Sequence, residues 1–207
     1  MFTGIVQAKV KVSEISDQEQ FRRLTLEVPV QLLQNLERGA SISVNGTCLT
    51  ATEFNLQLPL GKVSFDVIDE TLVKTNLGDL TVGSLVNFER SLTFGREIGG
   101  HLVSGHVHGT AKILAVTLTG ANWRVDIELK PEFKNYVLSK GFISIDGISL
   151  TVGEVTATSF SLHLIPETLD VTTLGQRVAG DRVNIELDQQ TVTIVDTVER
   201  VLAAKSL

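Results

Sequence analysis

Three histidines fall within eight residues, His101, His106 and His108, and the one cysteine, Cys48, sits in the segment Asn45-Gly-Thr-Cys-Leu-Thr50. Imidazoles move protons near neutral pH or ligate divalent ions, and a thiol can add to an electrophilic carbon. On a strand, His106-Val-His108 would aim both rings at one face. As a metal motif the cluster is weak, because the neighbouring carboxylate is Glu97, the remaining histidine, His163, lies far along the chain, and His-x-His has low specificity. The sequence therefore predicts no metal. It assigns one histidine to hydrogen bonding or acid-base work and leaves the others solvated or structural.

The surroundings of Cys48 return further on. Asn45 to Thr50 recurs as Asp146-Gly-Ile-Ser-Leu-Thr151, with Ser149 in the place of Cys48. A lone cysteine is usually an inert small hydrophobe, but a nucleophilic or hydrogen-bonding side chain kept at one point of two copies points to a ligand. Val63 to Leu72 recurs as Phe160 to Leu169, turning Glu70-Thr71 into Glu167-Thr168. These carboxylates either face a helix dipole or grip a hydroxyl-rich ligand. Thr3-Gly4-Ile5-Val6 pairs with Ser104-Gly105-His106-Val107 at an offset of 101, whereas Leu77-Gly78 and Val86-Asn87 return at an offset of 97. Four extra residues between Asn55 and Gly61 account for the difference, and are expected to form a surface excursion whose leucines could meet a partner subunit. A period near 100 residues is a duplicated domain rather than a solenoid repeat.

The elements that must position these groups are short. Ile5 to Val10, Leu24 to Val28, Ile42 to Val44, Val63 to Val67 and Leu85 to Phe88 alternate apolar and polar residues, as do Val125 to Leu129, Ile143 to Ile145, Phe160 to Leu164 and Val183 to Ile185. This period reads as antiparallel strands with one buried face. About six strands per half, closed on themselves, would leave no exposed edges, so the chain is predicted to be mainly β: two tandem antiparallel barrels. Helical pieces are expected over Val30 to Glu37, Pro131 to Leu138, Glu70 to Leu77 and Glu167 to Leu174. Ile194, Val195, Val198, Val201 and Leu202 form one apolar stripe on a last helix, which either packs on its own barrel or joins other subunits.

Composition narrows the function. A net charge of −6 with no cluster of Lys and Arg argues against a phosphate-tracking surface and hence against nucleic acid. The N-terminus lacks a basic start and the apolar stretch of a signal peptide, and no run reaches the roughly 18 apolar residues of a membrane span. A cytoplasmic protein is expected, consistent with a single cysteine and no internal disulfide.

The chain resembles the riboflavin synthase family of lumazine-binding repeat proteins over essentially its whole length. The resemblance rests on Met1-Phe-Thr-Gly-Ile-Val6, Asn45 to Thr50, Glu97-Ile-Gly-Gly-His-Leu-Val-Ser-Gly-His106, Lys140 to Val152 and Ile165-Pro-Glu-Thr168, in family order. It implies two six-stranded Greek-key barrels, over residues 1–97 and 98–188, and a C-terminal helix over 189–207 that gathers a homotrimer. It implies an active site between barrels of neighbouring subunits, and no metal or cofactor. The reaction implied is dismutation of two 6,7-dimethyl-8-ribityllumazine molecules into riboflavin and 5-amino-6-ribitylamino-uracil; lumazine synthase is a further partner left open. The implied N-terminal ligand contacts are Gly4, Ile5, Val6, Cys48, Leu49, Thr50, Asp66, Val67, Ile68, Asp69, Glu70 and Thr71. Those of the C-terminal ligand are Gly105, His106, Val107, Lys140, Ser149, Leu150, Thr151, Ile165, Pro166, Glu167, Thr168, Leu169 and Asp170. His106 is assigned to proton transfer, and Cys48, Ser41, Ser149 and Thr151 to positioning the rings or to nucleophilic addition. The rival reading is a non-catalytic lumazine- or flavin-binding antenna of the same fold, which would be expected to lack polar site residues in one half.

Overall fold

A computed structural model describes residues 1–119 and 122–205. Two closed six-stranded antiparallel barrels carry the fold. The first comprises β1 (Ala8–Asp17), β2 (Phe21–Pro29), β3 (Ser41–Val44), β4 (Thr47–Asn55), β5 (Leu60–Ile68) and β6 (Leu85–Arg90), in spatial order β1-β2-β5-β4-β3-β6. The second comprises β7 (Gly109–Thr119), β8 (Asn122–Glu128), β9 (Phe142–Ile145), β10 (Ile148–Val155), β11 (Ser159–Leu164) and β12 (Arg182–Leu187), paired in the same way. Closure of so small a sheet needs sharp bends, and bulges supply them at matching points: Val12/Glu14 and Ile113/Ala115, Ala51/Glu53 and Val152/Val155.

Alternation along each strand fills two separate cores, one built around Leu24, Leu26, Phe65 and Phe88 and the other around Ile113, Ile127, Phe160 and Ile185. The copies exchange bulk within this pattern. Val63 and Phe65 of β5 become Phe160 and Leu162 of β11, so a large side chain moves by two positions while the core stays filled.

Several predicted helices are shorter than expected. Val30–Leu33 and Pro131–Phe133 are single 3-10 turns. The segments predicted as Glu70 to Leu77 and Glu167 to Leu174 each split into a short helix, α1 (Asp69–Lys74) or α2 (Pro166–Val171), and a 3-10 turn. The break has a side-chain cause: Thr75 and Thr172 donate their hydroxyls back to Thr71 and Thr168 and accept the amides of Leu77 and Leu174. A helix ends and a capped turn begins at one residue. The Asn55 to Gly61 excursion joins β4 to β5 at the surface, with Leu56, Leu58 and Leu60 exposed.

The barrels meet across a pseudo-twofold axis. Asn45-Gly46 and Asp146-Gly147 form two-residue turns with positive φ at all four positions, and they stack back to back, since a Cβ on Gly46 would lie 2.5 Å from the Gly147 nitrogen. Around them runs a buried amide network. Asn184 donates to the Asn45 carbonyl and Asn87 to that of Asp146, while the amides of Asn76 and Thr173 donate to the side chains of Asn184 and Asn87. The symmetry is broken at Asn76, whose equivalent is Thr173, and at Asp146, which is fully buried, replaces Asn45 and is paired with Arg177 at 3.1 Å. Burial pushes its carboxyl well up, against the pull of Arg177.

The last helix, α3 (Gln189–Lys205), lies on the second barrel. Val192 packs against that core, Tyr136 donates to Asp196 at 2.7 Å and Asn135 to Glu199 at 3.0 Å. Ile194, Val198 and Val201 stay largely exposed on it. Among the described residues no helix is long and apolar enough to cross a membrane.

Candidate active site

The candidate polar side chains lie on the outer walls of the barrels. β3 and β4 pair Ser41 with Thr50 and Ser43 with Cys48, while Ile42, Val44, Leu49 and Ala51 fill the core. Successive side chains of a strand point to opposite faces, so Ser41, Cys48 and Thr50 share the outward face. β9 and β10 repeat the arrangement with Ser149 and Thr151 outward.

Each outward face is completed by the other copy of the repeat. The amide of Ser149 donates to the Gly4 carbonyl at 2.8 Å, and the amide of Cys48 donates to the Gly105 carbonyl at 2.9 Å. Val6 is buried in the core of the second barrel, and Phe2 pairs antiparallel with Val103. The segments before β1 and before β7 thus cross over as two straps. Among the residues expected at the ligands, the segment Gly4 to Val6 therefore lies against Ser149, and the segment Gly105 to Val107 against Cys48. Both glycines are required in their places. Their φ values are +72° and +84°, and a Cβ would come within 2.6 Å of Ser149 Cβ or 2.5 Å of Cys48 Cβ.

On the first barrel the result is a groove of about 230 Å3, lined by Thr47, Cys48, Glu70, Thr71, Lys74, Thr75 and Gly105 to Val107. Lys74 is paired with Glu70 at 2.7 Å. On the second barrel Ser149 has a partner with no equivalent in the first: Nδ1 of His101 lies 2.7 Å from Ser149 Oγ. His101 is buried and stacks on Phe142 at 5.1 Å between ring centroids. Burial holds its imidazole below the ordinary value, partly offset by the charge of Asp188. A neutral imidazole against a hydroxyl is the arrangement of a base that activates a nucleophile.

The structure separates the other candidates. The three histidines do not converge: His101 faces Ser149, His106 lines the Cys48 groove, and Nδ1 of His108 accepts the amide of Leu187. His106 and His108 precede β7 instead of lying on a strand. Among the described residues no group of three or more His, Cys, Asp or Glu side chains is placed to hold a metal. Leu49, Val67, Leu150 and Val6 face the cores, so their side chains cannot meet a ligand on the outer wall and only their backbone can. Asp66 is held by Arg23 at 2.7 Å. Ile68, Asp69, Ile165, Pro166, Glu167 and Asp170 are exposed around the starts of α1 and α2, with Thr168 and Leu169 half-buried behind them. Lys140 is exposed, with φ of +69° at the turn into β9.

Sequence reasoning missed the His101–Ser149 pair and two buried carboxylates. Glu89 accepts from the Thr3 amide and hydroxyl, both at 2.7 Å, and Glu186 from those of Ser104 at 2.7 and 2.8 Å. The signal was present, since Glu89 and Glu186 share the 97-residue offset of Asn87 and Asn184. Without the fold nothing joined them to the straps.

Residues 3–91 and 104–188 each match the lumazine-binding domain family, which defines the chain as a tandem lumazine-binding-domain protein. It is 53% identical over 206 residues to riboflavin synthase of Escherichia coli strain K12, covering 99% of this chain and 95% of that protein. Riboflavin synthase of Chlamydia pneumoniae is 44% identical over 204 residues, covering 99% and 98%. The chain belongs to the riboflavin synthase family and is an enzyme. Among solved structures, LumP complexed with 6,7-dimethyl-8-(1'-D-ribityl) lumazine superposes with a TM-score of 0.79 at 26% identity, and LumP complexed with riboflavin with 0.80 at 29%. Each covers 91% of this chain and 100% of that one.

Proposed function

We propose that the protein dismutates 6,7-dimethyl-8-ribityllumazine, moving four carbons from a donor to an acceptor molecule to leave riboflavin and 5-amino-6-ribitylamino-uracil. The observation that carries this reading is that both barrels keep an equipped outer face. One presents Cys48, Thr50 and His106 and the other Ser149, Thr151 and His101. Two equivalent platforms suit a reaction that consumes two copies of one molecule.

Holding two identical heterocycles face to face turns an encounter into an oriented unimolecular step, which can lower a barrier by about 7 to 11 kcal/mol. The 7-methyl group of the substrate is acidic because its anion delocalises over the ring system, so a base of modest strength suffices. His106, which lines the groove beside Cys48, is the residue we assign to this proton transfer. On the other platform, His101 can take the Ser149 proton as the hydroxyl adds to an electrophilic ring carbon. Thr50, Thr151, Glu70 and Glu167 offer hydroxyl and carboxylate partners to the ribityl chain.

A groove of about 230 Å3 on an outer wall is smaller than the pocket of about 300–1,000 Å3 that usually encloses a small molecule. This supports a second wall supplied by the complementary barrel of a neighbouring subunit. The exposed Ile194, Val198 and Val201 of α3 give such an assembly a contact surface, and a trimer with each site between two chains fits both observations. An antenna role has less support, because neither platform has lost its polar groups. Turnover of purified protein on 6,7-dimethyl-8-ribityllumazine tests the proposal.

A further inference from the structure

The two straps that complete the platforms are each gripped from the opposite barrel. Glu89, on β6 of the first barrel, accepts the amide and hydroxyl of Thr3 and the amide of Gly4. Thr3 Oγ1 in turn accepts the amide of Ile5 at 3.2 Å. Glu186, on β12 of the second barrel, repeats the grip on Ser104 and Gly105, and Ser104 Oγ accepts the amide of His106 at 3.1 Å. Each carboxylate thereby orders three successive backbone N–H groups, two directly and one through a hydroxyl. The carbonyls of Gly4 and Gly105 are left aimed at Ser149 and Cys48. Both carboxylates are 4% exposed.

We propose that Glu89 and Glu186 are positioning residues acting across the barrels: Glu186 fixes the wall of the Cys48 platform, and Glu89 fixes the wall of the Ser149 platform. An ionised carboxylate accepts on both oxygens, whereas a carboxamide has one acceptor and would turn a donor N–H toward the strap. Glutamine keeps the volume of the side chain and disrupts the grip. The proposal rests on the lumazine reading above for the identity of the ligand, but the direction of the coupling comes from the geometry alone.

Glu186→Gln and Glu89→Gln, each in the full chain, are titrated with 6,7-dimethyl-8-ribityllumazine and followed by alkylation of Cys48 with iodoacetamide. We expect each variant to lose at least tenfold in affinity at one of its two sites and less than twofold at the other. Ligand should protect Cys48 in the wild type and in Glu89→Gln, and fail to protect it in Glu186→Gln. Ser104→Ala, which removes only the bridging hydroxyl, should lose protection in the same sense by a smaller factor, and serves if a glutamine variant does not fold. Equal weakening of both sites by either variant, or unchanged protection of Cys48 in both Glu186→Gln and Ser104→Ala, would overturn the assignment. A wild-type chain that binds no lumazine would overturn the functional reading, and this proposal with it.

Discussion

Cys48 of the first barrel donates its amide to the carbonyl of Gly105, a residue of the second repeat, at 2.9 Å. Ser149 repeats the bond with Gly4 of the first repeat at 2.8 Å. Neither platform is therefore complete within its own half of the chain, and the duplication is a mutual construction.

The close approach at these glycines makes them sensitive. Gly105→Ala would place a methyl 2.5 Å from Cys48 Cβ at a φ of +84°. Strain of this kind costs on the order of 1–3 kcal/mol, and relief requires the strap to lift from the platform. We predict a fall in thermal stability together with a loss of more than tenfold in lumazine affinity at one site. Gly4→Ala should do the same at the other.

The His101–Ser149 pair sets an expected pH dependence. Because burial lowers the His101 pKa, the neutral base should persist below the ordinary imidazole value of about 6.5, and the acid limb of kcat should fall lower than that. His101→Gln should remove this limb and lower kcat by about 10²- to 10⁴-fold. Linkage gives the matching stability term. A depressed imidazole contributes stability that is present above about pH 6.5 and lost as the pH falls through the folded value. Glu89 and Glu186 act in the opposite sense, because burial raises both carboxyls. Their contribution is present below the unfolded value of about 4.3 and lost as the pH rises through the folded one. Denaturant unfolding of wild type and His101→Gln across pH 4 to 8 separates the two.

The buried Asp146–Arg177 pair replaces Asn45 and Leu80 of the first copy. Removing only the cation should be costly, about 3–5 kcal/mol for Arg177→Leu, because the buried Asp146 carboxyl loses its counter-ion and must take up a proton or go unpaired. The double substitution Asp146→Asn with Arg177→Leu copies the first half and should recover most of that loss. The non-additivity can be read from chemical denaturation of the two single variants and the double variant.

Charge on the exposed stripe of α3 tests the assembly. Ile194→Glu with Val198→Glu leaves the contacts of Tyr136 and Asn135 with the helix in place. We expect folded monomers by light scattering, and turnover lowered at least tenfold if neighbouring chains close the sites.

The barrels were legible because alternation and duplication are local signals. Val63 to Leu72 and its return at Phe160 to Leu169 mark the same strand and helix start twice. Helix lengths were less legible, because Thr75 and Thr172 end α1 and α2 through side-chain hydrogen bonds that apolar periodicity does not register. Of the expected site residues, Cys48, Thr50, Ser149 and Thr151 lie on the outer walls, but which strap meets which wall was not readable. The resemblance implied Gly4 alongside Cys48, whereas strap crossing sets it beside Ser149. Leu49 and Val67 show a related limit, since a motif covers both faces of a strand and only one face can meet a ligand. The His101–Ser149 contact spans 48 residues and depends on the path of the linker between barrels.

The most direct test is incubation of the purified protein with 6,7-dimethyl-8-ribityllumazine, without added metal or cofactor, with products quantified by absorbance and chromatography. The account predicts one riboflavin formed for every two lumazines consumed. Tight binding of lumazine with no riboflavin formed would contradict it and place the protein among the antennae.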